Sequence, residues 1–237
     1  MNFQTDLFRG FTQKVSFRNQ KFDPLFKFEY FDIENPEIRK NKFTSSEVIF
    51  ESRISFREKR LLNGNSRINL GSGGRPVFTL RYTVGLKDVF NGDFDYHKFE
   101  GTIKHSFRVG LFGNSRYRLT AGYIPSKVPY PLLQTHLGNE TFFFNSRSFN
   151  LMNYFEFVSD KYISTRYIHR FNGFFLNHIP LMRKLKWRTF VEGNFLYGGV
   201  DKKNRDIIPA TDVTGEAIPT FNSLGDDPYI ELSYGVE

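Results

Sequence analysis

The chain has 237 residues, of which 29 are Phe and 12 are Tyr, and it carries a formal net charge of +8. It contains no Cys, which excludes a disulfide framework and a thiolate metal site. No run approaches the roughly 18 apolar residues that a membrane-spanning helix needs, so a helical membrane protein is excluded as well. The mean hydropathy of −0.44 does not exclude a membrane β-barrel, because a polar lumen offsets a lipid-facing surface in the average.

Apolar and polar residues alternate along most of the chain. In the segment 76–88, for example, Phe78, Leu80 and Tyr82 alternate with polar or small residues. A period of two predicts β-strands with one apolar face and one polar face. The predicted strands are residues 8–18, 25–33, 45–58, 66–70, 76–88, 95–111, 115–124, 152–159, 161–171, 185–198 and 228–236.

Turn signals separate these strands, which predicts a large antiparallel sheet in one domain. Short turns are predicted at Asn63–Asn65, Asn91–Asp93 and Gly113–Asn114, where Gly and Asn tolerate positive φ. Longer connections are predicted at 125–150, 172–184 and 199–227. Helix is predicted only as a turn or two near 130–137.

The alternation leaves two orientations open. A soluble barrel points its apolar residues inward, whereas a membrane barrel points them at lipid. Three features favour the membrane barrel: the number of strands, the mixture of both charge signs with Gly, Ser and Thr on the polar face, and aromatic residues near the strand ends. The prediction is an all-β fold, an antiparallel transmembrane β-barrel (or incomplete barrel) of about 10–12 strands.

The polar residues of the alternating strands are the candidates for a functional site. In a membrane barrel they line the lumen, where Arg and carboxylates can pair, and an excess of Arg and Lys favours anions in a pore. The predicted lumen-lining residues are Arg81, Arg108, Arg118, Arg188 and Glu192.

The sequence offers little support for catalysis or nucleic-acid binding. The five His show no metal-ligand spacing, and Tyr167 and His169 share a strand face where packing or hydrogen bonding is expected. Ser106 follows His105, but neighbours in a strand point to opposite faces. The Gly71–Arg75 run lacks the Lys and the helix of a phosphate loop. We therefore predict no enzymatic activity, no metal, no cofactor and no nucleic-acid partner.

Several segments carry a resemblance to a known family. They are GNET at 138–141, FNLMNYFEFVSDKY at 149–162, HRFNGFFLNHIPL at 169–181 and KLKWR at 184–188, with support from LFRGF at 7–11 and YTVGLK at 82–87. These segments resemble the C-terminal barrel region of a Bacteroidetes-type outer-membrane family of unknown function. Its members usually carry an N-terminal carboxypeptidase-regulatory-like domain. The resemblance implies a β-barrel in the bacterial outer membrane.

Both termini differ from the pattern of that family. Met1–Asp6 has no signal-peptide features, and the chain finishes on Glu237, whereas outer-membrane strands typically finish on an aromatic residue. We expect residues 1–237 to be a single outer-membrane β-barrel region, a fragment of a longer protein. Open edges are not tolerated in lipid, so the isolated chain is not expected to form a stable barrel unless its first and last strands pair.

The expected function follows from this location. We expect a non-enzymatic protein of the cell envelope that serves as a transport, assembly or surface-anchoring platform. Its expected partners are outer-membrane lipid and other envelope proteins. The alternative from another class is a soluble β-barrel binding module for an apolar ligand.

Overall fold

The computed structural model describes residues 1–25, 27–56, 59–63, 66–71, 74–145, 147–211, 215–218, 222–225 and 227–237. Within them the chain is mostly β. Nine strands form one sheet, and each pairs antiparallel with the next along the chain, from β1 at one edge to β9 at the other. The strands are β1 (Asn2–Phe8), β2 (Phe11–Phe22), β3 (Phe43–Ser55), β4 (Val77–Gly85), β5 (Tyr96–Arg108), β6 (Asn114–Tyr123), β7 (Lys161–Arg170), β8 (Thr189–Gly199) and β9 (Tyr229–Val236).

The connections contain only small elements. Two short helices, α1 (Pro180–Leu185) and α2 (Lys202–Arg205), follow β7 and β8, and none of the helices in the described ranges is long and apolar enough to cross a membrane. Three-residue 3₁₀ turns occur at Gly110–Phe112, Tyr130–Leu132 and Leu176–His178. The two-stranded pairs are Tyr30–Phe31 with Arg39–Lys40, Lys59–Asn63 with Ser66–Gly71, and Gln134–Thr135 with Val158–Ser159.

The large antiparallel sheet is confirmed, but its strands differ from the prediction in four places. The predicted strand 66–70 is a strand, Ser66–Gly71, but it pairs only with Lys59–Asn63 outside the main sheet. The predicted strand 8–18 is two strands, because the chain reverses at Gly10, which has a φ of +89°. The predicted strands 25–33 and 152–159 lie outside the main sheet and contribute only Tyr30–Phe31 and Val158–Ser159 to short pairs. The main sheet therefore has nine strands rather than ten to twelve. Of the predicted turns, Gly64 and Asn65 lie outside the described residues.

The two faces of the sheet differ in chemistry. Paired positions place Glu51 of β3, Arg81 of β4 and Glu100 of β5 side by side on one face, which we call the charged face. The alternate residues, such as Leu80 and Phe99, point the other way and form the apolar face. The alternation that the sequence shows is thus a real separation of the two faces.

The sheet curves around its charged face. One cavity of about 460 Å³ on this face is lined both by Asn2 of β1 and by Tyr162 of β7, which are six strand spacings apart in the sheet. In a flat sheet these two strands would lie about 29 Å apart, since neighbouring strands are about 4.8 Å apart. The strand pairs of the described residues do not join β1 to β9, so the sheet is curved without a closed ring of hydrogen bonds.

The hydrophobic core lies at one end of the sheet, which we call the cap end. There the long connections between the strands begin, and described residues of 23–25, 27–42, 86–95, 124–145, 147–160 and 200–211 pack together. Ring contacts with edge-to-face geometry, such as Phe43 against Phe94 at 5.3 Å, are typical of a dense aromatic core. The core residues are Phe28, Tyr30, Phe43, Phe94, Tyr96, Ile124, Val128, Leu132, Leu133, Val158, Val200 and Ile207.

Candidate functional site on the charged face

Arg81 lies at the centre of the charged face between two carboxylates. Its Nη2 lies 2.8 Å from Glu51 Oε2, and its Nη1 lies 3.2 Å from Glu100 Oε1. Glu51 and Glu100 are its partners in strand register, so the three side chains meet without distortion of the backbone. Tyr162 of β7 donates its hydroxyl to the other oxygen of Glu100, Oε2, at 3.1 Å. These contacts form a balanced network across four strands.

A second acidic group lies toward the cap end. Glu47 is buried and accepts a hydrogen bond from the hydroxyl of Tyr96. Two cations face the same carboxylate, with Lys98 Nζ at 4.0 Å and Arg18 Nη1 at 3.7 Å. The buried negative charge is thus compensated, as burial of a carboxylate requires.

Three cations lie on consecutive strands toward the end of the sheet that is opposite the cap end. Lys104 of β5 is paired with Arg118 of β6, and Arg118 is paired with Arg166 of β7. Directly opposite positions in an antiparallel sheet bring Cβ atoms to about 5 Å. The row continues with neutral residues on both sides, Val77 and Asn194. We call Lys104, Arg118 and Arg166 the basic row.

An amide–carboxylate cluster lies beyond the basic row. Asn194 donates from Nδ2 to Glu231 Oε1 at 2.7 Å and to Glu192 Oε1 at 2.9 Å. Glu231 also accepts backbone N–H bonds from Asn150 at 2.9 Å and from Leu151 at 3.0 Å. The other oxygen of Glu192, Oε2, is buried and has no hydrogen-bond partner among the described residues.

Residues 136–145 and 147–157, which we call the covering loop, lie against this part of the charged face. The ring of Phe149 packs 4.8 Å from the guanidinium carbon of Arg166, a cation–π contact. His136 is buried with its Nε2 3.0 Å from Ser159 Oγ and its ring against Tyr162 at 5.0 Å. Burial, with a smaller contribution from the positive charge of Arg166, lowers the pKa of His136 to about 4.

A second cavity of about 400 Å³ lies between the sheet and the covering loop. Its lining is dominated by cations, with six Arg or Lys side chains against two Glu. The charged residues of this lining are Arg53, Arg81, Lys104, Arg118, Arg147, Arg166, Glu51 and Glu100. The cavity is therefore electropositive, and it is lined by donors suited to an anion.

Three of the five residues predicted to line a lumen lie well inside the charged face, and the other two lie near strand ends. Arg81 and Arg118 line the second cavity, and Glu192 is buried on the same face beside Asn194. Arg108 is exposed at the far end of β5, and Arg188 lies one residue before β8, exposed, with its backbone paired to Glu237. Arg81 and Arg118 thus share one cavity, whereas Glu192 lies on the same face outside its lining. Their role as lumen-lining residues remains a prediction.

Sequence reasoning did not single out several members of the site. Glu51, Glu100 and Arg166 were signalled by their polar positions in alternating strands, but the strand order was needed to show that they meet Arg81 and Arg118. Glu231 could not have been found from the pattern, because its partners lie in a loop 80 residues away.

Two groups of side chains bear on metal binding and on the predicted packing of Tyr167 and His169. No group of three or more His, Asp and Glu side chains in the described ranges is placed to hold a metal ion. On the apolar face, Ser115 Oγ lies 2.8 Å from His169 Nδ1, and Tyr167 Oη lies 2.9 Å from the same hydroxyl. Ser115 is 1% exposed, and His169 Nε2 lies 3.0 Å from the backbone carbonyl oxygen of Phe112, so both imidazole nitrogens have partners within the fold. Hydrogen bonding is one of the two roles predicted for Tyr167 and His169.

The chain matches no curated protein and no solved structure. One family model matches residues 2–204, described as the C-terminal domain of a family of unknown function, DUF5686. The match covers all strands except β9 and includes the entire basic row. The chain therefore belongs to the DUF5686 family and contains its C-terminal domain.

Proposed function

We propose that this chain is a non-enzymatic β-protein of the bacterial outer membrane that serves as a transport, assembly or surface-anchoring platform in the cell envelope. Its apolar face contacts lipid hydrocarbon, and its charged face borders a polar interior. The observation that carries the proposal is the continuous exposure of large apolar side chains on one face of the sheet. The chain's membership of a family of unknown function is compatible with this role and does not specify it.

The apolar face is exposed to an extent that water does not favour. Leu80 is 61% exposed and Leu232 is 79% exposed, although both lie within strands of the main sheet. A contiguous exposed apolar surface is typical of a site that contacts a membrane or another protein. The exposed members on this face are Phe3, Leu7, Phe50, Phe78, Leu80, Phe99, Phe107, Tyr123, Ile163, Tyr167, Val191, Tyr197, Ile230, Leu232, Tyr234 and Val236.

Aromatic side chains form rows at two levels of this face. Tyr82 and Phe99 stack at 4.8 Å, and strand register extends their row to Phe50 and Tyr123. A second row nearer the opposite end contains His105, Tyr117 and Tyr167, also at paired positions. Tyr117 and Tyr123 are six residues apart on β6, or about 20 Å along the strand. Leu80, Ile103, Leu119, Ala121 and Ile163 lie between the rows. Phe78 and Tyr197 also lie at these intermediate levels. Two aromatic rows on either side of a mainly aliphatic band are typical of membrane barrels.

Strand length supports the same conclusion. A strand needs about 9–11 residues to cross a bilayer when it is tilted. Seven of the nine strands, from β2 to β8, have between 9 and 13 residues. The edges of the sheet at β1 and β9 need pairing partners in hydrocarbon, because unsatisfied backbone groups are costly there.

The soluble binding module remains the alternative. It requires the apolar side chains to surround an enclosed ligand, whereas the two cavities described above are lined mainly by charged and hydroxyl side chains. Those cavities do not suit an apolar ligand.

The membrane protein and the soluble binding module are distinguished by an experiment that tests which face of the sheet contacts lipid. Leu80→Lys introduces a charge at mid-strand on the apolar face, and the matched control Thr79→Lys adds the same charge one residue away on the charged face. Insertion of the refolded full chain into liposomes is measured by co-flotation and protease protection. Leu80→Lys should weaken insertion by ~2–4 kcal/mol, and Thr79→Lys should insert nearly as well as the wild type. Equal insertion of both variants, or a wild-type monomer that is stable without detergent, contradicts the proposal.

A further inference from the structure

We infer that the basic row is a binding site for a multiply charged phosphoryl anion. Lys104, Arg118 and Arg166 form its floor on strands β5, β6 and β7, and Arg147 of the covering loop approaches from above. The inference goes beyond the proposed function and does not depend on what covers the apolar face.

The first argument is the repulsion within the row. Like charges at directly opposite positions of an antiparallel sheet destabilise it. Two consecutive pairs in the row have this arrangement, Lys104 with Arg118 and Arg118 with Arg166. Elsewhere on the same face the register brings opposite charges together, as Arg81 lies between Glu51 and Glu100. A bound anion would relieve this repulsion, because each cation of the row would then face a nearby opposite charge.

The second argument is that the nearby carboxylates are already engaged. Glu51 and Glu100 bond Arg81, and Glu231 bonds Asn194 and two backbone N–H groups of the covering loop. Glu192, which has one oxygen without a hydrogen-bond partner among the described residues, interacts electrostatically with Arg166 at one end of the row. Lys104 and Arg118 make no hydrogen bond or ion pair with any residue in the described part of the chain, and both are exposed to the cavity. Their donors are therefore available to a bound group.

The third argument is the shape of the site. The cavity of about 400 Å³ is closed on one side by the sheet and on the other by Leu137, Arg147 and Phe149 of the covering loop. Phe149 packs against the guanidinium of Arg166 at 4.8 Å, which fixes the plane of that group. A positioned cation loses less conformational entropy on binding than a free one.

The chemistry of the donors indicates the ligand class. The planar guanidinium of Arg matches the oxygens of a phosphate in a bidentate manner, and Lys adds a point charge. The two Arg and one Lys of the row carry three positive charges, and a single carboxylate would neutralise only one of them. A ligand with two or more negative charges therefore fits best. The phosphoryl group could come from a soluble phosphate ester or from a phospholipid headgroup, which share this chemistry.

Binding of inorganic pyrophosphate to the full chain in a non-ionic detergent tests the inference by calorimetry. Arg118→Gln and Lys104→Gln should each weaken binding by about tenfold or more, because each removes a charge-assisted contact. The matched control is Arg116→Gln, on the same strand and face but outside the lining of the cavity. It should change the affinity by less than about twofold, apart from long-range screening effects.

A second arm distinguishes the two sources of the phosphoryl group. Phosphatidic acid is added to the same micelles, and its binding is compared with that of pyrophosphate. The site is supported if either probe binds and its binding is weakened by Arg118→Gln but not by Arg116→Gln. The probe that binds in this way identifies the source of the phosphoryl group. Failure of both probes to bind the folded wild type, or equal losses in Arg118→Gln and Arg116→Gln, overturns it. Far-UV circular dichroism verifies folding, and if Arg118→Gln does not fold, the same comparison is decided with Lys104→Gln.

Discussion

The ring of Tyr162 crosses strand β6 directly over Gly122. The two residues are paired in register, and a Cβ on Gly122 would lie 2.3 Å from Cε1 of the tyrosine. Because the position carries no side chain, the hydroxyl of Tyr162 reaches past β6 and bonds Glu100 on β5 at 3.1 Å. This contact connects strands that are not neighbours, and it extends the Arg81 network across the middle of the charged face.

Gly122→Ala should therefore destabilise the fold. The added methyl overlaps the ring, so Tyr162 must leave Glu100 or the strands must separate, and overpacking of this kind costs about 1–3 kcal/mol. The free energy of unfolding in detergent measures the effect. The control is Gly101→Ala on β5, where a Cβ meets only Leu80 Cδ2 at an ordinary 3.6 Å. Equal effects of the two substitutions would show that the close approach does not matter.

The same Arg→Gln substitution should have opposite effects at two positions of the charged face. Arg118→Gln removes like-charge contacts with Lys104 and Arg166 and should raise stability by about 0.2–1 kcal/mol in the absence of an anion. Arg81→Gln leaves Glu51 and Glu100 without their cation and should lower stability by roughly 1 kcal/mol, a modest value because the pair is partly exposed. Chemical denaturation at low salt compares them. A loss of stability in both variants would contradict the view that the basic row is strained by repulsion.

The strands, their two faces and their order can be predicted from the sequence. The alternation around Leu80 and Arg81 predicts both the strand and its two faces, because the period of side chains in a strand is fixed by the backbone. The antiparallel order also follows, because short turns such as Gly113–Asn114 join neighbouring strands. The predicted separation of aromatic and charged residues is present in the structure.

Other features depend on tertiary contacts that no local pattern contains. The segment 25–33 reads as a strand because it is rich in Phe, yet Phe28 and Tyr30 belong to the core at the cap end. The covering loop is held by Glu231, which is distant in sequence. The basic row requires the register of three strands before Lys104, Arg118 and Arg166 are known to be adjacent. Helix α1 was not predicted either, since it has only six residues, beginning with Pro180, and these are too few for a clear helical period.

His136 gives the stability of the chain a specific dependence on pH. Its pKa is lowered to about 4 in the folded state, against an ordinary value of about 6.5. Above pH 6.5 the imidazole is neutral in both states and contributes nothing to the difference. As the pH falls from about 6.5 to about 4, the unfolded chain binds a proton that the folded chain does not, so up to ~3 kcal/mol of stability is lost.

Comparison of two His→Gln variants isolates this contribution. His136→Gln should flatten the fall in unfolding free energy between pH 6.5 and 4 relative to the wild type. His178→Gln, at an exposed position in the connection after β7, should keep the wild-type slope. A wild-type slope in His136→Gln would mean that the buried imidazole does not cause the dependence.

Glu231 should control how firmly the covering loop is attached to the sheet. Its two oxygens accept the backbone N–H groups of Asn150 and Leu151 at 2.9 and 3.0 Å, and charged acceptors contribute about 1.5–3 kcal/mol per bond. Glu231→Gln replaces one acceptor oxygen with an N–H₂ donor, so one backbone N–H loses its partner. Hydrogen exchange of the peptide spanning 147–153 should accelerate by about tenfold or more, and tryptic cleavage after Arg147 should become faster.

Glu237→Gln is the control for this substitution, because Glu237 bonds the side chain of Arg170 away from the covering loop. It should leave exchange in 147–153 at the wild-type rate. If Glu231→Gln also leaves that rate unchanged, the loop is held by the packing of Phe149 and Met152 rather than by the carboxylate. If exchange accelerates only in Glu231→Gln, one buried carboxylate on the last strand positions Arg147 and Phe149 over the basic row. Pyrophosphate affinity should then fall in Glu231→Gln even though the row itself is intact.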